Sequence, residues 1–438
     1  MNASSVGNSI VDAPAAADNA RGSLRFSGGA DFDVIILGAG ASGLFCAREA
    51  ARLRLRVLLL EGGEQAGLKL CLSGGGRANF TNLDVEPRHY RCARPRFCGP
   101  ALKGFTPRRM LDLVVGEWRL PYEEREHGQL FLTVPARRLR DALADDCRAA
   151  GCRLVCHAPV SRAWREGEDF CVAAGDGLWK ARGLVIALGG PAWPQAGATD
   201  AGLRLAGAFG HEIVPPRPAL VPLRMPAGWP SADADCNALA GISLPVRVDL
   251  PQSGLTRDAW TDSLLFTHDG LSGPAALKAS LFWNAGEALR VNFAPDADVE
   301  ALIDAPENGR TQALTVVRRL MPQRLADALT PPGPGRRKCA ELSRAHRRQI
   351  ADAVQRHEVV PTGVADFSRA EAASGGIDVA RIHPKTMESA LVPRLWCIGE
   401  ALDVTGLLGG YNLHWAWASA AAAARHMART LGSGSAGE

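Results

Sequence analysis

Residues 33–61 read DVIILGAGASGLFCAREAARLRLRVLLLE, and this stretch decides the fold. It predicts a buried strand over 33–37, a helix that begins in the glycine-rich turn, and a second strand over 57–60 that ends at Glu61. The order of strand, glycine-rich turn, helix and strand is typical of a dinucleotide-binding α/β unit. We therefore predict that the chain binds a nucleotide at this turn.

Each glycine of the turn has a mechanical role. Gly38 permits the tight bend, Gly40 lets a pyrophosphate approach the backbone, and Gly43 lets helix and strand pack closely. The helix start then presents unpaired N–H groups and a partial positive charge to the phosphates. Glu61 can accept both hydroxyls of an adenosine ribose and would repel a 2′-phosphate. The pattern thus predicts FAD or NAD in this site, and not NADP.

The composition is that of a globular protein with more than one domain. The chain has 438 residues, 47% of them hydrophobic, and a net charge of +4. This charge is too small to indicate a general electrostatic attraction to nucleic acid or to a membrane surface. None of its 11 cysteines forms a CxxC pair, so we expect a reducing cytoplasm and no metal site. Residues 1–30 predict a disordered leader instead of a signal peptide. No apolar run is long enough to span a membrane.

The chain beyond the first unit predicts a nucleotide-binding domain that is split by an insertion. A helix is expected between Pro135 and Gly151, with strands over 153–156, 170–173 and 184–188. The last of these is fully apolar, which favours a central place in the sheet.

The texture of the sequence changes after Gly190, where prolines become dense. Alternating runs such as 244–250 predict an antiparallel β subdomain, and the basic stretch 336–348 predicts a helix. Buried-strand character returns at 395–398 and is followed by a closing helix. The predicted domains are the leader (1–30), the first part of the nucleotide-binding domain (31–190), the insertion (191–375) and the second part (376–438).

Residues 62–82 are too rich in glycine for a predicted helix. Within them, KLCLSGGGRANFTN (69–82) has three consecutive glycines that permit backbone approach to a ligand, and Arg77 and Asn79 supply donors. Given the upstream turn, this loop favours contact with a pyrophosphate and a flavin edge over the alternative of a flexible surface turn.

Two further ligand signals lie near the C-terminus. Glu400 and Asp403 follow a predicted buried strand, where open α/β sheets bind ligands; they suit ribityl hydroxyls, and a solvated loop is the competing interpretation. Gly409 and Gly410 open the closing helix, whose N-terminus would stabilise negative charge on a reduced isoalloxazine.

The combined motifs resemble the bacterial aminoacetone-oxidase-like, BaiN-like FAD-binding flavoproteins of the two-dinucleotide-binding-motif superfamily. The motifs that carry the resemblance are DVIILGAGASGL, KLCLSGGGRANFTN, LLFTHDGLSGPAAL, IHPKTMES and WCIGEALDVTGLLGGYNLHWAWASA. The resemblance implies FAD and an α/β fold in which a Rossmann-like FAD-binding domain is interrupted by an inserted β-barrel plus a small helical subdomain. It also implies oxidoreductase chemistry, with 187–190 as a second flavin-contacting strand end and Gly399 with Glu400 on the ribityl side.

Taken together, these signals name a set of candidate cofactor-binding residues. They are Gly38, Gly40, Ala41, Ser42, Gly43, Glu61, Gly62, Lys69, Ser73, Gly74, Gly75, Gly76, Arg77, Asn79, Gly189, Gly190, Gly399, Glu400, Asp403, Gly409, Gly410, Tyr411, Asn412 and Leu413.

The sequence departs from the family pattern at three places. Ala78 stands where the family usually has Cys, which excludes a thiol function there; His383 replaces Asn, and His414 replaces Gln. His414 puts a titratable group in the first turn of the flavin-facing helix, where a backbone-bonded residue is favoured over a catalytic base.

Two further candidates for catalysis are Tyr411 and His268. Tyr411 can wall a flavin pocket or pack in the core. His268 lies beside Asp269, and both proton transfer and structural turn chemistry explain it.

We predict an FAD-dependent oxidoreductase that transfers a hydride between the flavin and a small organic substrate or transiently bound NAD(P)H. No second GxGxxG motif follows another strand, so a dedicated NAD(P) domain is not expected. The alternatives are an amine-type oxidase that uses O₂, a flavin-containing protein that binds or modifies tRNA, and a redox sensor without turnover. The stretch 336–348 lacks interleaved aromatics, which favours a solvated helix face and no nucleic-acid partner. Oligomeric state is left open.

Overall fold

The computed structural model describes residues 30–231, 234–251 and 260–432. The predicted leader lies outside them except for its last residue. The strands are β1 (Phe32–Leu37), β2 (Val57–Leu60), β3 (Asn79–Asn82), β4 (Tyr90–Arg91), β5 (Tyr122–Arg125), β6 (Gln129–Leu132), β7 (Arg153–Val155), β8 (Val160–Glu166), β9 (Asp169–Ala174), β10 (Gly177–Ile186), β11 (Ile213–Ala219), β12 (Leu223–Arg224), β13 (Pro230–Ser231), β14 (Ala234–Asp235), β15 (Ser243–Asp249), β16 (Trp260–Thr267), β17 (Gly270–Ser272), β18 (Leu289–Asn292), β19 (His357–Val359), β20 (Gly363–Val364), β21 (Ala372–Ile377), β22 (Leu395–Cys397) and β23 (Thr405–Gly406). The helices are α1 (Ala41–Arg52), α2 (Leu68–Gly76), α3 (Gly99–Gly104), α4 (Pro107–Asp112), α5 (Arg137–Ala149), α6 (Ala201–Ala208), α7 (Gly273–Phe282), α8 (Val299–Asp304), α9 (Ala313–Val317), α10 (Gln323–Leu329), α11 (Pro332–Gly335), α12 (Arg344–Gln355) and α13 (Tyr411–Leu431).

The main sheet is a parallel α/β sheet with an antiparallel edge. Its strand order is β7, β2, β1, β10, β9, β8, with β22 also paired to β10. The pairs of β1 with β2 and β10, of β2 with β7, and of β10 with β22 are parallel. The four residues of β2 are all buried apolar side chains, which is what helices on both faces of a parallel sheet require. The predicted Rossmann-like α/β fold is confirmed, with β10 in the middle.

The insertion forms a second sheet with its own core. Seven antiparallel strands are ordered β19, β18, β15, β16, β17, β12, β20. Buried side chains of β15, β16 and β18 pack there with α7 and the short helices that follow, in a cluster separate from that of the parallel sheet. The antiparallel character predicted from 244–250 is confirmed, while the limits of the insertion at 191 and 375 stay predictions.

One local expectation is wrong and another is confirmed only in part. Residues 62–82 were expected without a helix, yet Leu68–Gly76 is helical; its geometry breaks at Ser73, Gly74 and Gly75, so glycine ends the helix without preventing its start. The basic stretch 336–348 holds only a 3-10 turn before α12 begins at Arg344. The helix starts there because the Ser343 side chain accepts a hydrogen bond from the His346 N–H and caps it.

The contact between α1 and the preceding turn leaves no room for a side chain. A Cβ placed on Gly43 would lie 1.8 Å from the Gly38 carbonyl oxygen, whereas one on Gly40 meets nothing within 4 Å. Gly43 is therefore needed for packing, and Gly40 borders open space.

We expect Gly43→Ala to destabilise the protein by about 3 kcal/mol or more, because the added methyl must push α1 off the sheet. Gly40→Ala is the matched control and should stay within about 1 kcal/mol of the parent. Urea unfolding followed by tryptophan fluorescence measures both. Equal stability of the two variants would contradict the packing role of Gly43.

Candidate functional site

Four of the predicted cofactor segments meet at one edge of the parallel sheet. Leu37 is in register with Leu60 and with Ile186, and Ile186 is in register with Cys397. Because parallel strands end on the same side, the segments that follow them lie together. These segments are residues 38–43, 61–62, 187–190 and 399–400. The edge thus joins parts of the chain that are hundreds of residues apart in sequence.

The start of α1 is open to this edge. Its N-cap is Gly40, and no side chain caps the helix, so the first N–H groups, including those of Ala41 and Ser42, are available to an anion. Glu61 lies beside this turn, where its carboxylate accepts hydrogen bonds from the backbone N–H groups of Ala39 and Gly63, both at 2.9 Å. An acid is therefore held next to a helix N-terminus, as the sequence predicted.

The segment 69–82, called the glycine loop below, contacts the C-terminal half of the domain. Lys69 Nζ lies 2.7 Å from Glu400 Oε2, and Glu400 Oε1 accepts the backbone N–H of Ala373 at 2.9 Å. A Cβ on Gly190 would lie 3.1 Å from the Ala373 side chain. Because Ala373 is hydrogen-bonded to Glu400, Gly189 and Gly190 lie close to the Glu400 carboxylate. These contacts fix Glu400 at the same edge.

The rest of the loop exposes its backbone. Gly74, Gly75 and Gly76 all have positive φ, and a Cβ on Gly75 would meet nothing within 4 Å. The Arg77 side chain is exposed, and Ser73 Oγ donates to the Leu70 carbonyl at 2.7 Å. The loop therefore offers N–H groups and a guanidinium to the solvent side of the edge.

A second helix N-terminus lies beside this loop. Gly410 is the N-cap of α13, with φ +91° and no side-chain cap. A Cβ there would lie 2.5 Å from the Thr81 carbonyl oxygen and 2.7 Å from Asn79 Oδ1, so only glycine fits. Asn82 Nδ2 donates to the Gly409 carbonyl at 2.9 Å. Strand β3 thus positions the start of α13.

Two of the predicted cofactor residues use their side chains structurally. The Asn412 amide exchanges two hydrogen bonds with the backbone of Gly406, at 2.8 and 3.0 Å, so its side chain is held within the protein. Asp403 is buried, accepts the Gly375 N–H at 3.2 Å, and has a pKa raised by burial. A ribityl contact by Asp403 stays a prediction.

The geometry of His414 favours the structural interpretation over the catalytic one. The side chain is fully buried, its Nε2 donates to the Phe105 carbonyl at 3.1 Å, and its Nδ1 accepts from the Thr81 hydroxyl at 2.7 Å. Burial lowers its pKa to about 4. Both ring nitrogens are therefore occupied, and the imidazole is neutral at pH 7.

The other two catalytic candidates differ in their positions. Tyr411 lines a cleft, packs edge-on against Tyr90, and has a pKa raised to about 12 by burial. His268 occupies the turn between β16 and β17 and contacts Asn237 Oδ1 at 2.7 Å. Asp262, at the other end of β16, lines the cleft, so His268 is about 20 Å away along the extended strand. That distance favours turn chemistry for His268.

The cleft lies between the start of α13, the β5–β6 hairpin and the inserted domain. It consists of two adjoining cavities of about 650 and 660 Å³. Five residues line both cavities and so mark where they meet: Glu124, His127, Gln129, Lys278 and Leu408. The Gln129 side-chain amide contacts that of Asn79 at 2.9 Å, which connects the cleft to the glycine loop.

Sequence reasoning missed these lining residues. One signal for Lys278 was available, because it is a charged residue within the apolar run GPAALKASLF of α7. Across the described ranges, no group of three His, Cys, Asp or Glu side chains is placed to hold a metal ion. In those same ranges no helix has the length and apolar character of a membrane span.

A parallel sheet with glycine-rich turns and acids at its carboxyl edge defines a Rossmann-type dinucleotide-binding protein. The chain matches the family described as HI0933-like protein Rossmann domain over residues 32–426. It belongs to this family of flavin-type oxidoreductases.

Three relatives span almost the whole chain. A Haemophilus influenzae protein named ribosomal RNA dihydrouridine synthase is 37% identical over 402 residues, covering 90% of this chain and 98% of the relative. An Escherichia coli protein of the same name is 36% identical over 399 residues, covering 90% and 98%. A Clostridium scindens protein named 3-dehydro-bile acid delta(4,6)-reductase is 28% identical over 420 residues, covering 89% and 97%.

These relatives refine the predicted resemblance. The flavoprotein oxidoreductase family is confirmed, and the BaiN-like part is supported by the relative at 28% identity. The aminoacetone-oxidase-like part finds no support in these three relatives.

The neutral state of His414 predicts a pH dependence of stability. The folded pKa lies below the ordinary value near 6.5, so the contribution of the neutral ring is complete above pH 6.5 and is lost as the pH falls towards 4. Between pH 7 and pH 5 this loss amounts to about 2 kcal/mol. We expect His414→Gln to show a pH dependence smaller by that amount in urea unfolding. Identical pH dependence in both proteins would show that protonation of His414 does not change the free energy of unfolding, which would contradict the lowered pKa.

Proposed function

We propose that the protein is an FAD-dependent reductase of carbon–carbon double bonds conjugated to a carbonyl group, with a uracil ring of ribosomal RNA as its substrate. The observation that carries the cofactor is the meeting of two uncapped helix N-termini, the glycine loop and Glu61 at one sheet edge. When bound, FAD supplies a two-electron hydride carrier.

The residues at the edge fit the parts of FAD. The open space at Gly40 and the N–H groups of Ala41 and Ser42 suit the diphosphate. Glu61 suits the adenosine ribose, and Glu400 suits the ribityl chain.

The isoalloxazine fits beside the glycine loop and the start of α13. There Gly410 lets the chain turn into the helix, and the N–H groups of Asn412 and Leu413 would hold the ring. A positive helix end at this place stabilises the negative charge of the reduced flavin.

The two relatives named ribosomal RNA dihydrouridine synthase support the uracil substrate, because they match at 36–37% identity over nearly their full length. Forming dihydrouridine adds two hydrogens across the C5=C6 bond, one as a hydride and one as a proton. This proposal replaces the expectation of no nucleic-acid partner. NAD(P)H remains the proposed donor that reduces the flavin.

The bile acid reductase relative supports a second candidate, a small-molecule enone. The shared chemistry is hydride addition to the carbon β to a carbonyl. The lining of the cleft suits either substrate, because it combines carboxylates, His127 and Lys278 with the apolar side chains of Trp260 and Phe282.

Gly40→Asp tests the cofactor site without disturbing the fold. Gly40 has extended N-cap geometry and open space around it, so an aspartate should cap α1 and keep or raise stability. Its carboxylate would repel the diphosphate, and we expect FAD affinity to fall at least about tenfold. Gly40→Ser is the uncharged control. Unchanged flavin binding by Gly40→Asp, measured by fluorescence titration, would place the diphosphate elsewhere.

The substrate is tested with anaerobic mixtures of FAD-loaded protein and NADH or NADPH. One mixture contains unmodified ribosomal RNA transcripts, and another contains a 3-oxo-4,6-diene steroid. We expect mass spectrometry of digested RNA to show a uridine heavier by two hydrogens. Reduction of the steroid alone would favour the second candidate. If both substrates stay intact while the flavin is reduced, the proposed reaction is wrong.

A further inference from the structure

Lys278 is a buried cation at the centre of the cleft. It is 8% exposed and lines both cavities. It projects from α7, where Ala275, Ala276 and Ala279 pack in the core, and Pro274, one turn earlier, lines the same cleft. A lysine is almost never buried this far unless a partner holds it or a ligand uses it.

The partner of Lys278 is Asp262 on β16. Lys278 Nζ donates to Asp262 Oδ2 at 2.8 Å, and both side chains are largely buried. Asp262 Oδ1 accepts the backbone N–H of Ser263 at 2.8 Å, which fixes the carboxylate. The carboxylate thus holds the Lys278 side chain and directs its ammonium group.

The Lys278 ammonium group has more hydrogen-bond donors than it has acceptors among the described residues. An ammonium carries three N–H donors, and among the described residues Asp262 is the one hydrogen-bonding or ion-pair partner of Lys278. Two donors are therefore free at the junction of the cavities. Buried polar groups are normally fully hydrogen-bonded, so free donors of a buried charge facing a cleft indicate a ligand acceptor.

We propose that Lys278, held by Asp262, is the oxyanion-binding group of this cleft. This inference rests on the proposed reduction of a conjugated carbonyl compound. With bound, reduced FAD as the two-electron donor, hydride addition at the β carbon would shift the C=C electron pair towards the carbonyl and leave the carbonyl oxygen negative. Lys278 donates a hydrogen bond to that oxygen and keeps its own proton. A solvent proton would then add at the α carbon and restore the carbonyl, so that the substrate gains one hydride and one proton and FAD supplies the two electrons.

The test uses 4-nitrophenolate as a stable oxyanion and 4-nitroanisole as its uncharged match, bound to the FAD-loaded protein at a pH where the phenol is ionised. We expect the parent to prefer the phenolate, and Lys278→Met to weaken phenolate binding at least about tenfold with nitroanisole binding unchanged. Lys278→Arg should retain most of the preference. Lys103→Met, a loss of the same charge at an exposed position, should behave as the parent.

A second variant distinguishes loss of the ammonium group from loss of the fold. Asp262→Asn keeps the shape of the acceptor and should weaken phenolate binding less than Lys278→Met, with circular dichroism to compare folding. If the parent shows no phenolate preference, or Lys278→Met keeps it, the oxyanion role is wrong. Lys278-dependent phenolate binding without dihydrouridine in RNA would leave this site standing and refute the RNA substrate, so the two proposals fail separately.

Discussion

The parallel register of β1, β2, β10 and β22 is the constraint on which the rest of the structure depends. It brings residues near 40, 61, 189 and 400 to one edge, which no local signal could do. Continuous apolar strands buried on both faces hold that register, because a slip would place the polar strand ends in the core. The candidate cofactor site is thus a consequence of how the sheet is assembled.

The inserted domain completes the cleft that the sheet edge begins. The nucleotide-binding domain supplies two helix N-termini and the glycine loop, and the insertion supplies the ion pair of Lys278 and Asp262. The β5–β6 hairpin lies between them, with Gln129 contacting Asn79 on one side and the cleft on the other. The proposed cofactor site and the proposed oxyanion site therefore lie on different domains that share one opening.

The sequence was most informative where the physics is local. The bounds of β2 and the crowding at Gly43 follow from short-range pattern and steric need. The segment at Leu68–Gly76 shows the limit, because glycine content alone did not reveal that the first residues still form a helix.

Other features depended on tertiary contacts. The neutral state of His414 results from burial, and that burial depends on distant segments, since the ring contacts Thr81 and Phe105. The Lys278 site requires that α7 be packed on β16. A charged residue in an apolar helix hinted at it, but its partner Asp262 lies 16 residues earlier and no pattern joins them.

We propose that the carboxyl edge of the parallel sheet holds FAD with its diphosphate at the start of α1. The most direct measurement is a crystal structure of the purified protein with FAD. We expect the diphosphate within hydrogen-bonding distance of the Ala41 and Ser42 N–H groups, the adenosine ribose on Glu61, and the isoalloxazine beside the start of α13. A flavin bound at another place, or a structure grown with saturating FAD that shows none at this edge, would contradict it.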